Sequence, residues 1–330
     1  MQAAVYHGPR DIRVEEIEHP GIAPDEILVR VRACGICGSD LHLYRLGMFE
    51  ALGRPVANGR VMGHELSGDV VDVGAQVTNF RVGDRITGVS TGGFAEYVPV
   101  PINERGPYLL PANISFEEGA TLEPLATSLH GVCLARPVAG ETVVILGAGI
   151  IGLGCVQAIR ATAPSCRVIV VDAATKRLEM ARQFGADSTV NFTETDAVEA
   201  VIALTGGARP VERFGVRSGN ADVVIDCAGA KLSPNQGLRM LKQLNGRLVC
   251  VALFEQQPEL DFNQVVRKHV TIHGSWTWTR DDYQQAIALV QSGRINRTPL
   301  ISHQFALADA PQAFATQDRP DAAVKVLIKP

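Results

Sequence analysis

Five side chains capable of chemistry lie within nine residues of this chain, in the stretch CGICGSDLH from Cys34 to His42. A Cys-x-x-Cys pair is found in redox sites beside a βαβ unit, and in structural zinc sites that gather four ligands. The chain contains no second Cys-x-x-Cys, and the stretch follows a β-rich segment rather than a βαβ pattern. The pattern therefore favours another interpretation, in which one cysteine belongs to a mixed-ligand metal site.

The remaining ligands of such a site lie further along the chain. RVMGHELSG places His64 and Glu65 directly before a strand, and LEPLA places Glu123 directly before a helix. Cys37, His64 and a carboxylate would supply sulfur, nitrogen and oxygen, the mixed set of a catalytic zinc site. A structural zinc site would require four protein ligands, usually with more sulfur. The residues leave open whether Glu65 or Glu123 supplies the oxygen.

A second chemical motif is the glycine pattern in TVVILGAGIIGLG, formed by Gly147, Gly149 and Gly152. A predicted strand precedes the pattern, and a predicted helix begins inside it. A second strand, RVIVVD, then ends at Asp172, twenty residues after Gly152. Strand, glycines, helix and acid together form the dinucleotide-binding fingerprint. A glycine-rich turn that binds nothing would not need this whole context.

Each part of the fingerprint has a physical role. Gly147 permits a tight turn, Gly149 lets the backbone approach a pyrophosphate, and Gly152 lets helix and strand pack closely. The helix N-terminus offers free N–H groups to the phosphates. Asp172 can accept both ribose hydroxyls and would repel a 2′-phosphate, so the sequence predicts NAD rather than NADP.

The elements that position these motifs fall into two kinds. Residues 1–100 alternate apolar and polar side chains between turn residues, which predicts a β-rich region. From about residue 115, helical patterns alternate with the short apolar runs TVVIL, RVIVVD, ADVVIDC, RLVCVAL and VTIHG. This alternation predicts a parallel sheet buried on both faces. The tail adds a helix and a closing strand, AAVKVLIKP, which we expect to complete the β-rich region.

Composition excludes several classes of protein. The net charge of −4 offers no basic surface for nucleic acid. The N-terminus has no apolar signal-peptide core, and no run reaches the ~18 apolar residues of a membrane span. Seven cysteines at irregular positions are not typical of a disulfide framework. We therefore expect a cytoplasmic protein, and the length of 330 residues favours two domains.

Seven motifs together resemble the zinc-dependent medium-chain alcohol dehydrogenases, especially their sorbitol (polyol) branch. They are CGICGSDLH, GHELSGDVVDVG, GDRI, GGFAEYV, LEPLA, LGAGIIGLG and DCAG, in the order and spacing of that family. The resemblance covers essentially the whole chain. It implies an α/β protein with a GroES-like β-rich catalytic domain, residues 1–132 and 276–330, and a Rossmann doubly wound parallel-sheet NAD-binding domain, residues 133–275. It also implies a homodimer or homotetramer.

The resemblance assigns roles to the residues of the first motif group. Cys37, His64 and Glu65 would bind a catalytic zinc, while Glu123 would hold the catalytic water or join the metal. Ser39 and His42 would form a proton relay. The expected cofactor residues, with Arg177 over the adenine ribose and Lys325 near the pyrophosphate, are Gly147, Gly149, Ile150, Ile151, Gly152, Asp172, Arg177, Cys227, Ala228, Val251 and Lys325.

The sequence departs from the family in two places. GDRITGVSTGGFAEYV passes directly from one strand to the next, without the four-cysteine lobe that holds a structural zinc in most relatives. We therefore expect one zinc per chain and no structural zinc. The polar stretch GGARPVERFGVRSGN, residues 206–220, is longer than the usual link between helix and strand. No physical reason for it follows from the sequence.

The predicted reaction is the reversible oxidation of a secondary alcohol in a polyol or sugar-like small molecule to a ketone, with hydride transfer to NAD. Threonine, butanediol, glucose and aminocyclitol dehydrogenases share these motifs and stay open as alternatives. A zinc-free quinone or enoyl reductase would not be expected to keep Cys37, His64 and Glu65 together. A non-catalytic NAD-binding protein is disfavoured by the relay and ligand residues.

Overall fold

The computed structural model describes residues 1–49, 54–55, 58–207 and 217–330. These residues form two compact units: the first comprises residues 1–124 and 279–330, and the second comprises residues 125–278. The domain boundaries expected from the sequence, at 132/133 and 275/276, stay a prediction. Residues 208–216 of the unexplained polar stretch lie outside the described residues.

The N-terminal part of the first unit is dominated by strands, as the alternating pattern indicates. Its elements are β1 (Gln2–Gly8), β2 (Asp11–Glu16), β3 (Glu26–Gly35), α1 (Gly38–Leu46), β4 (Met48–Phe49), β5 (Arg54–Pro55), β6 (Arg60–Val61), β7 (Glu65–Val73), β8 (Arg85–Val89), β9 (Tyr97–Pro101), β10 (Tyr108–Leu109), α2 (Phe116–Gly119) and α3 (Leu122–Ala135). Helix α3 continues across the division into the second unit.

The second unit alternates strands and helices. Its elements after α3 are β11 (Thr142–Leu146), α4 (Ile150–Thr162), β12 (Arg167–Asp172), α5 (Thr175–Gln183), β13 (Ser188–Asn191), α6 (Ala197–Leu204), β14 (Val223–Asp226), α7 (Ser233–Met240), β15 (Arg247–Cys250), α8 (Phe262–Lys268) and β16 (Thr271–Gly274). The chain then returns to the first unit with α9 (Arg280–Gln291), β17 (Ile301–Ala306), α10 (Ala310–Gln317) and β18 (Lys325–Lys329).

Strand β3 lies at the centre of the main sheet of the first unit. The sheet has the order β10-β8-β7-β3-β18-β17, and β9 also pairs with β3. Strands β7 and β18 run antiparallel to β3, so that both Glu65 and Leu327 are paired with Gly35. The end of β3 is therefore the place where three distant parts of the chain meet.

The sheet of the second unit is wholly parallel, with the order β13-β12-β11-β14-β15-β16. This is the doubly wound order, which reverses at its first strand and creates a binding crevice at the carboxyl edge. Val143, Val144 and Ile145 of β11 are completely buried, because helices cover both faces of such a sheet.

The sequence did not predict β13. Its residues, STVN, carry no apolar run because the strand lies at the edge of the sheet. The helices of both units that lie in the described ranges include none that is long and apolar enough to cross a membrane.

Candidate functional site

The first unit brings together Cys37, His64 and Glu65. Cys37 lies between β3 and α1, while His64 and Glu65 lie at the start of β7. One ligand atom from each residue lies within 4.8 Å of the others. No other group of three His, Cys, Asp or Glu residues reaches this spacing in the ranges that the structure describes.

The electrostatics of this cluster favour a cation. Burial opposes protonation of His64, but the negative charges of Cys37 and Asp40 raise the pKa of its imidazole well above the usual value. The same negative charges also favour a metal cation at this cluster. Its sulfur, nitrogen and oxygen donors suit zinc, so the residues present fit the metal that the motif implies.

Asp40 organises the two halves of the cluster. Its Oδ2 accepts the backbone N–H of Cys37 at 3.0 Å, and its Oδ1 lies 3.8 Å from Nδ1 of His64. Burial raises the pKa of the Asp40 carboxyl, and the nearby His64 opposes this shift. At 3.8 Å the contact with His64 is too long for a hydrogen bond, so Asp40 acts on the imidazole through its charge.

Glu65 forms a buried ion pair with Lys325. The Nζ of Lys325 donates to Oε2 of Glu65 at 2.5 Å and to the carbonyl of Ile36 at 2.8 Å. Both side chains are only 1% exposed. Burial lowers the pKa of the Lys325 ammonium, but Glu65 and its neighbours raise it by more, so the lysine stays charged. A lysine inside the apolar run AAVKVLIKP is the sequence signal of such a buried partner, and sequence reasoning did not use it.

Two glycines make room for the cluster. A Cβ on Gly35 would lie 2.3 Å from Oε2 of Glu65, so any side chain there would displace the carboxylate. Gly63 has a φ of +85°, and a Cβ there would lie 2.7 Å from the ring of Phe94. The turn that presents His64 therefore requires glycine.

The other predicted catalytic residues have separate positions. Glu123 lies in the first turn of α3 and is not part of the three-residue group. Burial raises the pKa of the Tyr283 hydroxyl, and the charge of Glu123 adds to this shift. Ser39 and His42 are three residues apart on α1, on the same face of the helix, and both are partly exposed. Their role as a relay stays a prediction.

At the carboxyl end of β11, the backbone around Gly147, Gly149 and Gly152 forms a cradle. Gly147 has a φ of +90°, and a Cβ there would lie 3.2 Å from the backbone of Cys227 and Ala228. A Cβ on Gly152 would lie 1.9 Å from the carbonyl oxygen of Gly147. Gly149 is the N-cap of α4 and faces open space within 4 Å. The geometry leaves the first turn of α4 accessible to an anion.

Asp172 is the side chain that fastens this cradle. Its Oδ2 accepts the N–H of Ala148 at 2.6 Å, and its Oδ1 accepts the N–H of Ala174 at 2.8 Å. Each carboxylate oxygen keeps further acceptor capacity for a ligand hydroxyl. Of the other predicted cofactor residues, Ile150 and Ile151 begin α4, and Arg177 lies on α5.

Sequence reasoning missed the organising role of Asp226 in DCAG. This buried carboxylate accepts the N–H groups of Ala228 and Gly229 and the hydroxyl of Ser233, the last at 2.6 Å. Its backbone oxygen accepts the N–H of Val251 at 2.9 Å. Asp226 thus holds the loop after β14 beside the end of β15. Lys325, which was expected near the pyrophosphate, lies in the first unit and forms the ion pair with Glu65. Its role in cofactor binding stays a prediction.

The chain also matches two known protein domains and several known dehydrogenases. Residues 23–110 match the alcohol dehydrogenase GroES-like domain, and residues 151–292 match the zinc-binding dehydrogenase domain. The (R,R)-butanediol dehydrogenase of Bacillus subtilis (strain 168) is 32% identical, with 100% of each chain covered. The sorbitol dehydrogenase of Bombyx mori is also 32% identical, with 99% of this chain and 97% of the relative covered.

A solved structure gives the same result. A protein of Sinorhizobium meliloti 1021, described as a zinc-binding dehydrogenase bound to NADP, has a TM-score of 0.85 and 32% identity. The alignment covers 100% of this chain and 99% of that one. The chain therefore belongs to the zinc-dependent medium-chain alcohol dehydrogenase family, whose members use a nicotinamide cofactor to act on small-molecule alcohols. The predicted family, fold class and enzyme class are confirmed.

Proposed function

We propose that this chain is a polyol dehydrogenase that reversibly oxidises a secondary alcohol to a ketone, with one zinc and NAD. The observation that carries the proposal is the convergence of Cys37, His64 and Glu65 in a chain similar to a sorbitol dehydrogenase over its full length. When bound, the zinc acts as a Lewis acid that favours loss of the hydroxyl proton, and NAD accepts the hydride.

The residues of the chain would bind the metal and move a proton. Cys37, His64 and Glu65 would hold one zinc, since the described residues offer a single such group and no four-cysteine lobe follows β8. Ser39 and His42 would carry the substrate proton toward solvent. Glu123 would accept a hydrogen bond from a water or substrate hydroxyl beside the metal.

The proposed cofactor is NAD. Asp172 ends β12, where the carboxyl edge of the sheet forms the binding crevice. Its carboxylate would accept the ribose hydroxyls and repel a 2′-phosphate. The relative from Sinorhizobium meliloti was solved with NADP, so the preference requires a direct test.

The proposed substrate carries a secondary hydroxyl beside a second hydroxyl. The relatives named for sorbitol and for (R,R)-butanediol match this chain at the same 32% identity. Both of these alcohols contain neighbouring hydroxyl groups. A butanediol is therefore the second candidate substrate, and comparison of kcat/KM for sorbitol, xylitol and butanediol ranks them.

We further propose a cytoplasmic homodimer or homotetramer. The seven cysteines all lie in the described residues and are not joined in disulfides, as is typical of a reducing compartment. On α8, Phe262 and Val266 are 67% and 71% exposed and lie on one helix face, which supports burial against another copy of the chain.

The test is metal analysis of the purified enzyme and of Cys37→Ser. We expect one zinc per chain in the wild type, and loss of both zinc and dehydrogenase activity in the variant, because a hydroxyl is a poor zinc ligand. Cys133→Ser, a change at an exposed cysteine, is the matched control and should keep both. A wild-type enzyme that is active without zinc, or that holds two zincs per chain, would contradict the proposal.

A further inference from the structure

The loop that follows β14 lies against the glycine fingerprint of the second unit. It comprises Cys227, Ala228 and Gly229, and a Cβ on Gly147 would lie 3.2 Å from the backbone of its first two residues. Gly229 has a φ of +62°, and a Cβ there would lie 2.3 Å from the carbonyl oxygen of Leu253. Backbone therefore crowds the loop on two sides, and any displacement of the loop changes the space beside the fingerprint.

Asp226 holds this loop from the end of its own strand. It is the last residue of β14, and its side chain is completely buried. Its Oδ1 accepts the N–H of Ala228 at 3.0 Å and the N–H of Gly229 at 3.3 Å. An aspartate that bonds to the backbone two residues further on stabilises a turn. The carboxylate thus determines how the loop folds over the end of β14.

Ser233 holds the other oxygen of the same carboxylate. It is the first residue of α7, and its hydroxyl donates to Oδ2 of Asp226 at 2.6 Å. The carbonyl oxygen of Ala230 lies further away at 2.8 Å, so the single hydroxyl proton favours the carboxylate. Burial raises the pKa of the Asp226 carboxyl, and the hydrogen bond from Ser233 is the largest effect that opposes this shift. Asp226 therefore joins the loop to the start of α7.

The order of the sheet places this loop and Asp172 on opposite sides of the fingerprint. Strand β11, which leads into Gly147, lies between β12, which ends at Asp172, and β14, which ends at Asp226. A dinucleotide lies across such a crevice, and the acid that ends the second strand binds the ribose of its adenosine half. The loop after β14 therefore lies on the side of the nicotinamide half.

We propose that Asp226 is a positioning residue for the nicotinamide half of the cofactor. Together with Ser233, it holds the loop Cys227–Gly229 in the position against Gly147 that leaves room for this half of the dinucleotide. The proposal rests on the proposed function, since it assumes that a nicotinamide dinucleotide binds at the fingerprint. It predicts a selective loss of affinity: NADH should bind more weakly to a variant of Asp226, while ADP, which lacks the nicotinamide half, should not.

The experiment measures two dissociation constants of the full-length enzyme well below its Tm, for NADH by fluorescence titration and for ADP by calorimetry. Asp226→Asn keeps the shape of the side chain but loses its charge and offers Ser233 a donor in place of an acceptor. The Kd of NADH should rise by about tenfold, as expected for loss of a charged hydrogen bond. The Kd of ADP should stay within about twofold of the wild type.

Ser233 supplies a second, milder test of the same contact. Ser233→Ala should raise the Kd of NADH by about threefold to fivefold, because Asp226 keeps its bonds to the loop. Ser233→Thr keeps the hydroxyl and should bind NADH like the wild type. If Asp226→Asn does not fold, these two variants decide, and equal NADH affinity in both overturns the proposal.

Asp222→Asn is the matched control, because Asp222 directly precedes the same strand at the opposite edge of the sheet. It accepts the N–H of Thr142 at 2.9 Å and the ammonium of Lys242 at 2.7 Å. Its loss should lower the Tm and leave both affinities unchanged.

The proposal is overturned if Asp226→Asn binds NADH like the wild type, or if its affinity for ADP falls as far as that for NADH. A wild type that binds NADH but oxidises no polyol refutes the proposed function alone, so the two failures are distinguishable.

Discussion

The two units hold their chemical groups by opposite means. The first unit gathers side chains, with Cys37, His64 and Glu65 in one cluster and the charge of Lys325 buried beside it. The second unit places glycines, which have no side chain, at Gly147, Gly149 and Gly152. The backbone N–H groups at the start of α4 are therefore open to a ligand. The first site therefore depends on charge balance, and the second depends on excluded volume.

The difference has an energetic side. Burying Glu65 and Lys325 removes two ions from water, and the pair is stable only because its contacts replace that hydration. Removing one partner of such a pair typically costs ~3–5 kcal/mol, since the other charge stays buried. Strand β11, at the centre of the parallel sheet of the second unit, contains no charged side chain. The cradle at its end therefore depends on the space between backbone segments.

The largest effect is expected from Gly152→Ala in the second unit. The new Cβ would lie 1.9 Å from the carbonyl oxygen of Gly147, so helix α4 must move away from the cradle. We expect NADH affinity to fall by more than about 100-fold, with a lower Tm. Fluorescence titration with NADH and a thermal melt measure both.

Gly149→Ala is the control for that prediction. A Cβ on Gly149 meets nothing within 4 Å, so the fold and Tm should not change. NADH affinity should still fall, by about tenfold, because the methyl group occupies the space that a pyrophosphate would enter. Normal NADH binding by Gly152→Ala would show that excluded volume does not govern this unit.

Gly35→Ala also introduces a methyl group into a crowded position, but in the first unit the methyl group meets a charged side chain. Its Cβ would lie 2.3 Å from Oε2 of Glu65 and would displace the carboxylate from Lys325 and from its place in the proposed zinc site. Zinc affinity should fall by ~10–100-fold, measured by chelator competition. Gly38→Ala, where a Cβ meets nothing within 4 Å, should bind zinc like the wild type. Unchanged zinc affinity in Gly35→Ala would argue against Glu65 as a ligand.

Glu123→Gln addresses the choice between the two glutamates. Since Glu123 lies outside the Cys37–His64–Glu65 group, the variant should keep its zinc after dialysis. Turnover should fall by on the order of tenfold, more for a polyol than for a simple secondary alcohol, through loss of a charged hydrogen-bond acceptor. A metal-free variant would make Glu123 the third ligand in place of Glu65.

The smallest effect is expected from Asp172→Ser, which changes one of the two carboxylates that hold the backbone of the cradle. The wild type should have the higher kcat/KM with NAD, and the variant should narrow the NAD:NADP ratio by a few-fold to about tenfold as one negative charge disappears. Because Asp172 also accepts the N–H groups of Ala148 and Ala174, affinity for both cofactors should fall together. A wild type that prefers NADP would refute the assignment.

Sequence reasoning predicted the fold class where the signal was local and periodic. The run TVVIL became β11 with the predicted bounds, because a strand buried on both faces must be apolar throughout. Strand β13 was missed because an edge strand needs no such run. The bend at Gly63 was also missed, since its requirement comes from the ring of Phe94, thirty-one positions further along the chain.

By itself, the sequence determined the family, the glycine fingerprint and the residue types of the candidate metal site. These signals are short patterns, in which the residue types and their spacing indicate the chemistry directly. The tertiary structure decided how the charges pair. Glu65 and Lys325 are 260 residues apart. No local period links such positions, and their charges could be buried together only because β18 pairs with β3 beside β7.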